Sequence, residues 1–254
     1  MKALELPFEL PPVGLGTWQM WGETAVRGVG EAIEVGYRHI DTAAGYGNEA
    51  AVGAGIRAGG VDREDLLIVT KFPEEDAGRE RESLSRSLEA LGVDFVDLWL
   101  IHAPPPDGGG AAIWEHFVAA REEGLTRAIG VSNFMVSQMD ALVADVGVTP
   151  QVNQVAFGPR YFEPGFVERH VARGIVPVGH SPFSENDLAH PTLRCVAERH
   201  GRSVHDVILR WHWEHKVATV AKSTARARLE ANLKAFDFQL KPDEIAAIDR
   251  LGLE

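Results

Sequence analysis

The sequence predicts an eight-stranded α/β barrel, and three observations point there. Apolar runs of strand length alternate with amphipathic helical segments along all 254 residues. The runs keep ending in a polar or ionisable residue: Asp41, Lys71, His102, Asn133, Gln154, His180 and Lys222. The length suits one barrel, and a content of 45% hydrophobic residues suffices for its core. A parallel barrel puts every strand end on one rim, so these distant residues are expected around a single site.

The first strand is read in VGLGTW, before a helix with Val26, Val29 and Ile33 on one face and Gly36 placed to cap it. RHID then ends at Asp41 and LLIVTK at Lys71. A helix through Leu84, Leu88 and Leu91 stops at Gly92 and leads into VDLWLIH. After AIGVSN, a helix through Met139, Leu142, Val143 and Val146 stops at Gly147. QVNQ is followed by a segment with Phe166, Val167 and Val171 before Gly174, and then by PVGH. Val204, Val207, Ile208 and Trp211 mark the helix before VATVAK; Leu229, Leu233 and Phe236 mark the one after it. An amphipathic helix from Pro242 to Leu251 ends the order. Strands and helices in alternation imply parallel pairing by right-handed crossovers and most simply a closed barrel. A doubly wound open sheet is the runner-up, but no G-x-G-x-x-G joins a first strand to a helix. The loose match from Gly53 to Ala58 falls inside a predicted helix. No Pro/Gly/Ser linker, short repeat or low-complexity tract divides residues 1–254, so one domain is expected.

A net charge of -12 argues against nucleic acid or an anionic membrane as the main partner and favours a small molecule. The N-terminal MKALELPFELPP has no continuous apolar segment, so neither a signal peptide nor a membrane span is expected, and a cytoplasmic location follows. Cys195 is the single cysteine, which excludes an internal disulfide and is read as a buried helix residue. No metal site is expected: His212 and His215 stand three apart on a helix, with no third ligand suggested.

The chemistry concentrates after the second, third and fourth strands. A lysine ending an apolar strand is costly to bury unless paired, and Asp41 is the natural partner of Lys71. A cation beside Tyr46 would lower the phenol from about 10 toward neutrality, suiting it to donate a proton to a nascent alkoxide. His102 could hydrogen-bond a carbonyl oxygen and orient it. Each residue alone is more often structural; four at successive strand ends shift the balance to function.

The segments GLGTWQ, GYRHIDTAAGYGNE, LLIVTK, VDLWLIHAP, AIGVSNF, PQVNQ and AKSTARARLEANL resemble the aldo-keto reductase family, in order and over essentially the whole chain. Within the family the chain resembles bacterial members that reduce diketo-gluconate and similar small carbonyls. The resemblance implies a monomeric (β/α)8 TIM barrel that binds NADPH across its rim and reduces aldehydes or ketones. It implies catalysis by Asp41, Tyr46, Lys71 and His102, with Tyr46 the acid, Lys71 tuning it, Asp41 fixing Lys71 and His102 positioning the carbonyl. Ser132, Asn133 and Gln154 fall where the family bonds the nicotinamide carboxamide; Lys222, Ser223 and Arg228 fall where it grips the pyrophosphate and 2'-phosphate. Gly16, Thr17, Trp18, Asp41, His180, Ser181, Pro182, Phe183, Thr224 and Asn232 complete the implied cofactor set. An Arg near a helix start opposes the macrodipole, which makes an anionic ligand at Arg228 the better account of it.

Some positions depart from the family. Ala103 replaces the common Trp and should widen the pocket; His180 replaces the usual stacking aromatic, so cofactor affinity is expected to follow pH near 6 to 7. Ala231 stands where an acidic residue normally meets the adenine, with Glu230 one place earlier, and Gly158 tolerates a close backbone approach. The APPPDGGG loop after His102 and the segment from Ser181 to His190 are short, and the sequence given ends at Glu254 without the tail of longer members. Short substrate loops and a truncated C-terminal tail predict a shallow, open pocket walled by Trp18, Met20, Trp21, Phe72, Phe134 and Phe183. Two other functions remain open: a barrel lyase with Lys71 as Schiff-base nucleophile, and an NADPH-binding sensor or structural barrel with little turnover.

Overall fold

Residues 6–106, 110–184 and 186–253 are described by a computed structural model. Eight parallel strands close into a barrel in sequence order: β1 (Val13–Gly16), β2 (His39–Asp41), β3 (Leu67–Phe72), β4 (Val96–Ile101), β5 (Thr126–Ser132), β6 (Val152–Ala156), β7 (Val176–His180) and β8 (Ala218–Ala221). β3 and β4 are buried along their whole length, as parallel strands covered on both faces must be. Alternation sorts their side chains. Leu67, Val69, Leu98, Leu100, Ala128, Val152 and Val178 fill the barrel interior, and Leu6, Phe8 and Leu10 of the N-terminal segment pack beneath them.

The opposite parity faces the helices α1 (Gly22–Val35), α2 (Glu49–Ala58), α3 (Glu80–Leu91), α4 (Ala111–Glu122), α5 (Val136–Val146) and α6 (Phe166–Val171). Trp99 stacks on Phe117 with centroids 3.6 Å apart, and Phe72 meets both edge-on. Two helices, α7 (Pro191–His200) and α8 (Val204–Glu214), lie between β7 and β8; α9 (Arg226–Lys234) and α10 (Pro242–Asp249) follow. Leu193, Val207, Trp211, Leu240 and Ile248 gather there around Phe157 in a second core.

Gly36, Gly92 and Gly147 take left-handed conformations at the ends of α1, α3 and α5, as their positions predict. The segment before Gly174 differs: α6 ends at Ala172, and its buried residue is His170, whose ring is held by Asn153 and the Phe166 carbonyl. Phe166 and Val167, as expected, pack partly buried against the second core, and the polar pairing of His170 joins them in docking this short helix. Phe236 lies beyond the end of α9, and α10 gives way at Arg250 to a 3-10 turn through Gly252. Cys195 is exposed on α7, contrary to expectation, because Leu193, Val196 and Ala197 supply that helix's buried face. The glycine-rich run needs no ligand: a Cβ on Gly53 would stand 2.3 Å from the Leu91 carbonyl oxygen, so close packing of α2 on α3 demands glycine. Residues 107–109 of the loop after His102, residues 1–5 and Glu254 lie outside the described residues.

Candidate active site

The strand register assembles the site. Asp41 pairs in register with Val69, and Lys71 with Leu100, so Lys71 stands one inward step above Asp41's level. Its Nζ donates to Asp41 Oδ1 at 2.5 Å and to the Thr42 carbonyl at 2.9 Å. Both side chains are almost wholly buried, at 2% and 3% exposure, so each stands in for the solvent the other has lost. Burial works to lower the Lys71 pKa, but Asp41 and Tyr46 together hold it above its ordinary value. A lysine so paired stays protonated, which opposes its use as a Schiff-base nucleophile. Asp41 is held from two further sides: Gln154 Nε2 donates to Oδ2 at 2.7 Å, and Thr17 donates from its hydroxyl to the Asp41 carbonyl at 2.9 Å.

Tyr46 ends a 3-10 turn, Ala44–Tyr46, closed by a left-handed Gly47. Lys71 Nζ lies 5.3 Å from its ring centroid, and His102 meets the ring edge-on at 5.5 Å. Burial pushes the Tyr46 phenol above its ordinary value and Lys71 pulls it down. The net direction corrects the expected fall toward neutrality: in this half-buried turn the loss of solvation outweighs the ammonium's attraction. Burial, with Lys71 beside it, lowers the His102 pKa, so its imidazole is neutral at physiological pH.

Residues absent from the expected set hold the loop that carries Tyr46. Asn48 donates from Nδ2 to the carbonyls of Thr17 and Met20 and accepts from the Thr42 hydroxyl. Glu49 takes hydrogen bonds from Thr70 at 2.6 Å and Ser87 at 3.0 Å, and burial raises its pKa. Their signal is the polar pair Asn48-Glu49 at a helix start, which the fold buries.

A cavity of about 640 Å³ opens on this rim. Asp41, Tyr46, Lys71 and His102 all line it, as do Gly16, Thr17, Trp18, Ser132, Asn133, Gln154, His180, Ser181, Pro182, Phe183 and Lys222. Gln19, Gly45, Ser184 and Val220 line it as well. A larger cavity, about 710 Å³ around Phe8, Tyr37 and Arg127, lies at the other end of the barrel and contains none of the four.

Several expected residues stand elsewhere. Met20, Phe72 and Phe134 belong to the core outside the barrel: Phe72 has the parity opposite to Lys71, and the other two turn inward from their loops. Trp21 is exposed, and neither it nor Ala103 lines the cavity. Ser223, Thr224, Arg228 and Asn232 lie outside the cavity wall. Asn232 is buried and hydrogen-bonds Tyr37, which assigns it to packing. Ser223 accepts from the Ala225 amide at the approach to α9, and Glu230 is engaged by Arg226. Arg228 is exposed on the first turn of α9, and its guanidinium makes no hydrogen bond or ion pair with a described residue, so its charge faces solvent. His180 is held by burial, and by Lys71, at about 4, so it is neutral across the range in which a pH response was expected.

The cavity floor offers acceptors. Gln154 spends its Nε2 on Asp41, leaving Oε1 without a partner among the described residues. Asn133 spends Nδ2 on Ser132 Oγ and the His102 carbonyl. Ser132 donates to the Gln154 carbonyl. Uncommitted lone pairs on three neighbouring oxygens suit a group with two N–H donors, such as a primary carboxamide. The exposed Lys222, which also lines the cavity and donates to Gln19 Oε1 at 3.1 Å, suits a phosphate. An acceptor floor and a cation on one cavity wall therefore fit a nicotinamide dinucleotide.

His212 donates or accepts only within α8 and at Phe157, and His215 pairs with Asp249. Among the described residues no cluster of three potential metal ligands occurs, and no helix is long and apolar enough to cross a membrane.

The sequence profile of the aldo/keto reductase family matches residues 12–252. Morphine 6-dehydrogenase of Pseudomonas putida is 37% identical over 260 residues, covering 96% of this chain and 88% of the relative. Methylglyoxal reductase of Salmonella typhimurium is 34% identical over 246 residues, covering 95% and 90%. The crystal structure of a Bombyx mori aldo-keto reductase in complex with NADP superposes with a TM-score of 0.88 at 35% identity, covering 95% of this chain and 89% of that one.

Proposed function

This chain belongs to the aldo/keto reductase family, and from that premise we propose that it reduces small aldehydes or ketones to alcohols with NADPH, using Tyr46 as the general acid. The observation that carries this reading is the cavity in which Tyr46, His102 and the buried Lys71–Asp41 pair meet beside a floor of hydrogen-bond acceptors.

NADPH, when bound, supplies the hydride that converts the carbonyl carbon to a carbinol carbon. The protein's task is the oxygen. His102, neutral, can donate a hydrogen bond to the carbonyl oxygen and aim it at Tyr46. Tyr46 is protonated at rest because burial holds its phenol up, and it gives its Oη proton as negative charge develops on the oxygen. Lys71 stabilises the phenolate left behind, and Asp41 with Gln154 keeps that ammonium in place. Solvent then returns the proton to Tyr46. Ser132, Asn133 and Gln154 orient the carboxamide; Lys222 and Arg228 meet the phosphates. One relative is named for methylglyoxal, a small carbonyl, and another for morphine, a bulky polycycle.

The same reading takes residues 1–254 as one domain, supported by the single barrel, as a cytoplasmic protein, supported by the lone cysteine, and as a monomer, which the family resemblance implies. The test is loss of the reduced-nicotinamide absorbance band on mixing the purified chain with NADPH and a panel of aldehydes and ketones. Turnover with no member of the panel, or turnover unaltered in Tyr46→Phe, would overturn it.

A further inference from the structure

His180 ends β7 and reaches across β6 to the residue that follows β5. Its Nε2 lies 3.0 Å from Asn133 Oδ1, and its Nδ1 lies 3.1 Å from Ser181 Oγ. The protonation pattern of this chain of groups is fixed by one backbone atom. The His102 carbonyl can only accept, so the Asn133 side chain must turn Nδ2 toward it, at 3.3 Å. Asn133 Oδ1 then faces His180 and can only accept, so His180 carries its proton on Nε2. A neutral ring has no second proton, so Nδ1 accepts from the Ser181 hydroxyl.

Both partners of the ring have unusual backbones. Asn133 has a φ of 62° and Ser181 a φ of 55°, left-handed conformations that non-glycine residues adopt reluctantly. One imidazole therefore bridges two strained residues on the cavity wall.

We propose that His180 is a positioning residue that works through the edge of its ring, holding Asn133 and Ser181 in the conformations that receive the cofactor, and not through the face of the ring as a stacking surface. The inference rests on the NADPH reading above. A phenyl ring in its place keeps a flat face and loses both hydrogen bonds, so the two roles predict opposite signs for His180→Phe. Edge recognition predicts weaker binding; face recognition predicts equal or tighter binding, because phenyl offers the larger apolar surface.

The experiment measures the NADPH dissociation constant of the whole chain by quenching of tryptophan fluorescence, with thermal unfolding as the control for folding. His180→Phe is expected to weaken NADPH about tenfold, the scale of one lost hydrogen bond. His180→Gln, whose amide N–H can still donate to Asn133 Oδ1, should recover most of that loss. Asn133→Gly suits the positive φ and removes one of the two partners; adding His180→Phe to it should cost clearly less than it costs the parent chain, since coupled groups do not add. Nitrogen-15 shifts of the His180 ring give a readout that needs neither cofactor nor a folded Phe variant: the Nε2–H tautomer in the parent chain, and a mixture in Asn133→Gly. Unchanged or tighter NADPH binding in His180→Phe, fully multiplicative effects, or an Nδ1–H tautomer in the parent chain would each overturn the inference. Failure of the parent chain to bind NADPH would overturn the functional reading, and this inference with it.

Discussion

Gln154 donates from Nε2 to Oδ2 of Asp41 at 2.7 Å, so the carboxylate that holds Lys71 is itself held from β6. The contact is buried and charge-assisted, which places it among the stronger hydrogen bonds. Gln154→Ala should destabilise the fold by about 1.5–3 kcal/mol, measured by urea unfolding. A loss below about 0.5 kcal/mol would mean that Asp41 finds an equal partner without Gln154.

Tyr46→Phe removes the proton donor and nothing that touches the acceptor floor. Turnover should fall by about a hundredfold to ten-thousandfold while the NADPH dissociation constant stays within about twofold. Steady-state kinetics and a binding titration together check this. Parallel losses in both would mean that the phenol binds cofactor.

Lys71→Met leaves Asp41 buried without its cation, and removing one partner of such a pair costs about 3–5 kcal/mol. The sign on catalysis follows from the phenol. Lys71 pulls the Tyr46 pKa down, so its loss should move the alkaline limb of the reduction profile to higher pH. A limb that moved to lower pH would show that Lys71 acts on another group.

Three histidines buried in the neutral form should make the fold sensitive to mild acid. His39, His180 and His212 are each held down to about 4 by burial, against 6.5 for an exposed imidazole. Between those values the unfolded chain binds more protons than the folded one, so stability is full above about pH 6.5 and falls as pH drops toward 4. The expected loss across the window is on the order of a few kcal/mol in all, seen as a falling urea midpoint. A midpoint independent of pH from 7 to 5 would contradict it.

Arg228 has a charge that no described residue neutralises, at the start of a helix whose dipole it opposes. Arg228→Ala should weaken NADPH by about tenfold to a hundredfold and leave NADH nearly unchanged. Isothermal titration with both cofactors checks the assignment, and equal losses would refute it.

The barrel was legible in the sequence because parallel strands buried on both faces are written as continuous apolar runs, and because each run ended in a residue too polar for the core. The rim residues followed from the same pattern, down to the pairing of Asp41 with Lys71. What the pattern could not convey was orientation outside the strands. Met20 and Phe134 lie in loops, where no alternation says which way a side chain turns, and both pack into the core. Phe72 was open to the parity argument, since Lys71 must point inward and its neighbour outward. The Tyr46 pKa depends on how deeply a turn is buried, a quantity set by the neighbouring loops and absent from local sequence. Asn48 and Gln154 donate from their amides to partners 28 to 113 residues away, so their structural roles appear only once the chain has closed.

Asn48 ties the loop that carries Trp18 to the loop that carries Tyr46, through three hydrogen bonds from one side chain. For anyone altering the specificity of this barrel, that tie divides the rim in two. Loops rebuilt after β1 or β2 will drag the proton donor with them, whereas among the described residues the stretches that follow His102 and Ser181 lie outside the Asn48 tie and can be exchanged as modules while His102, His180 and Ser181 are kept.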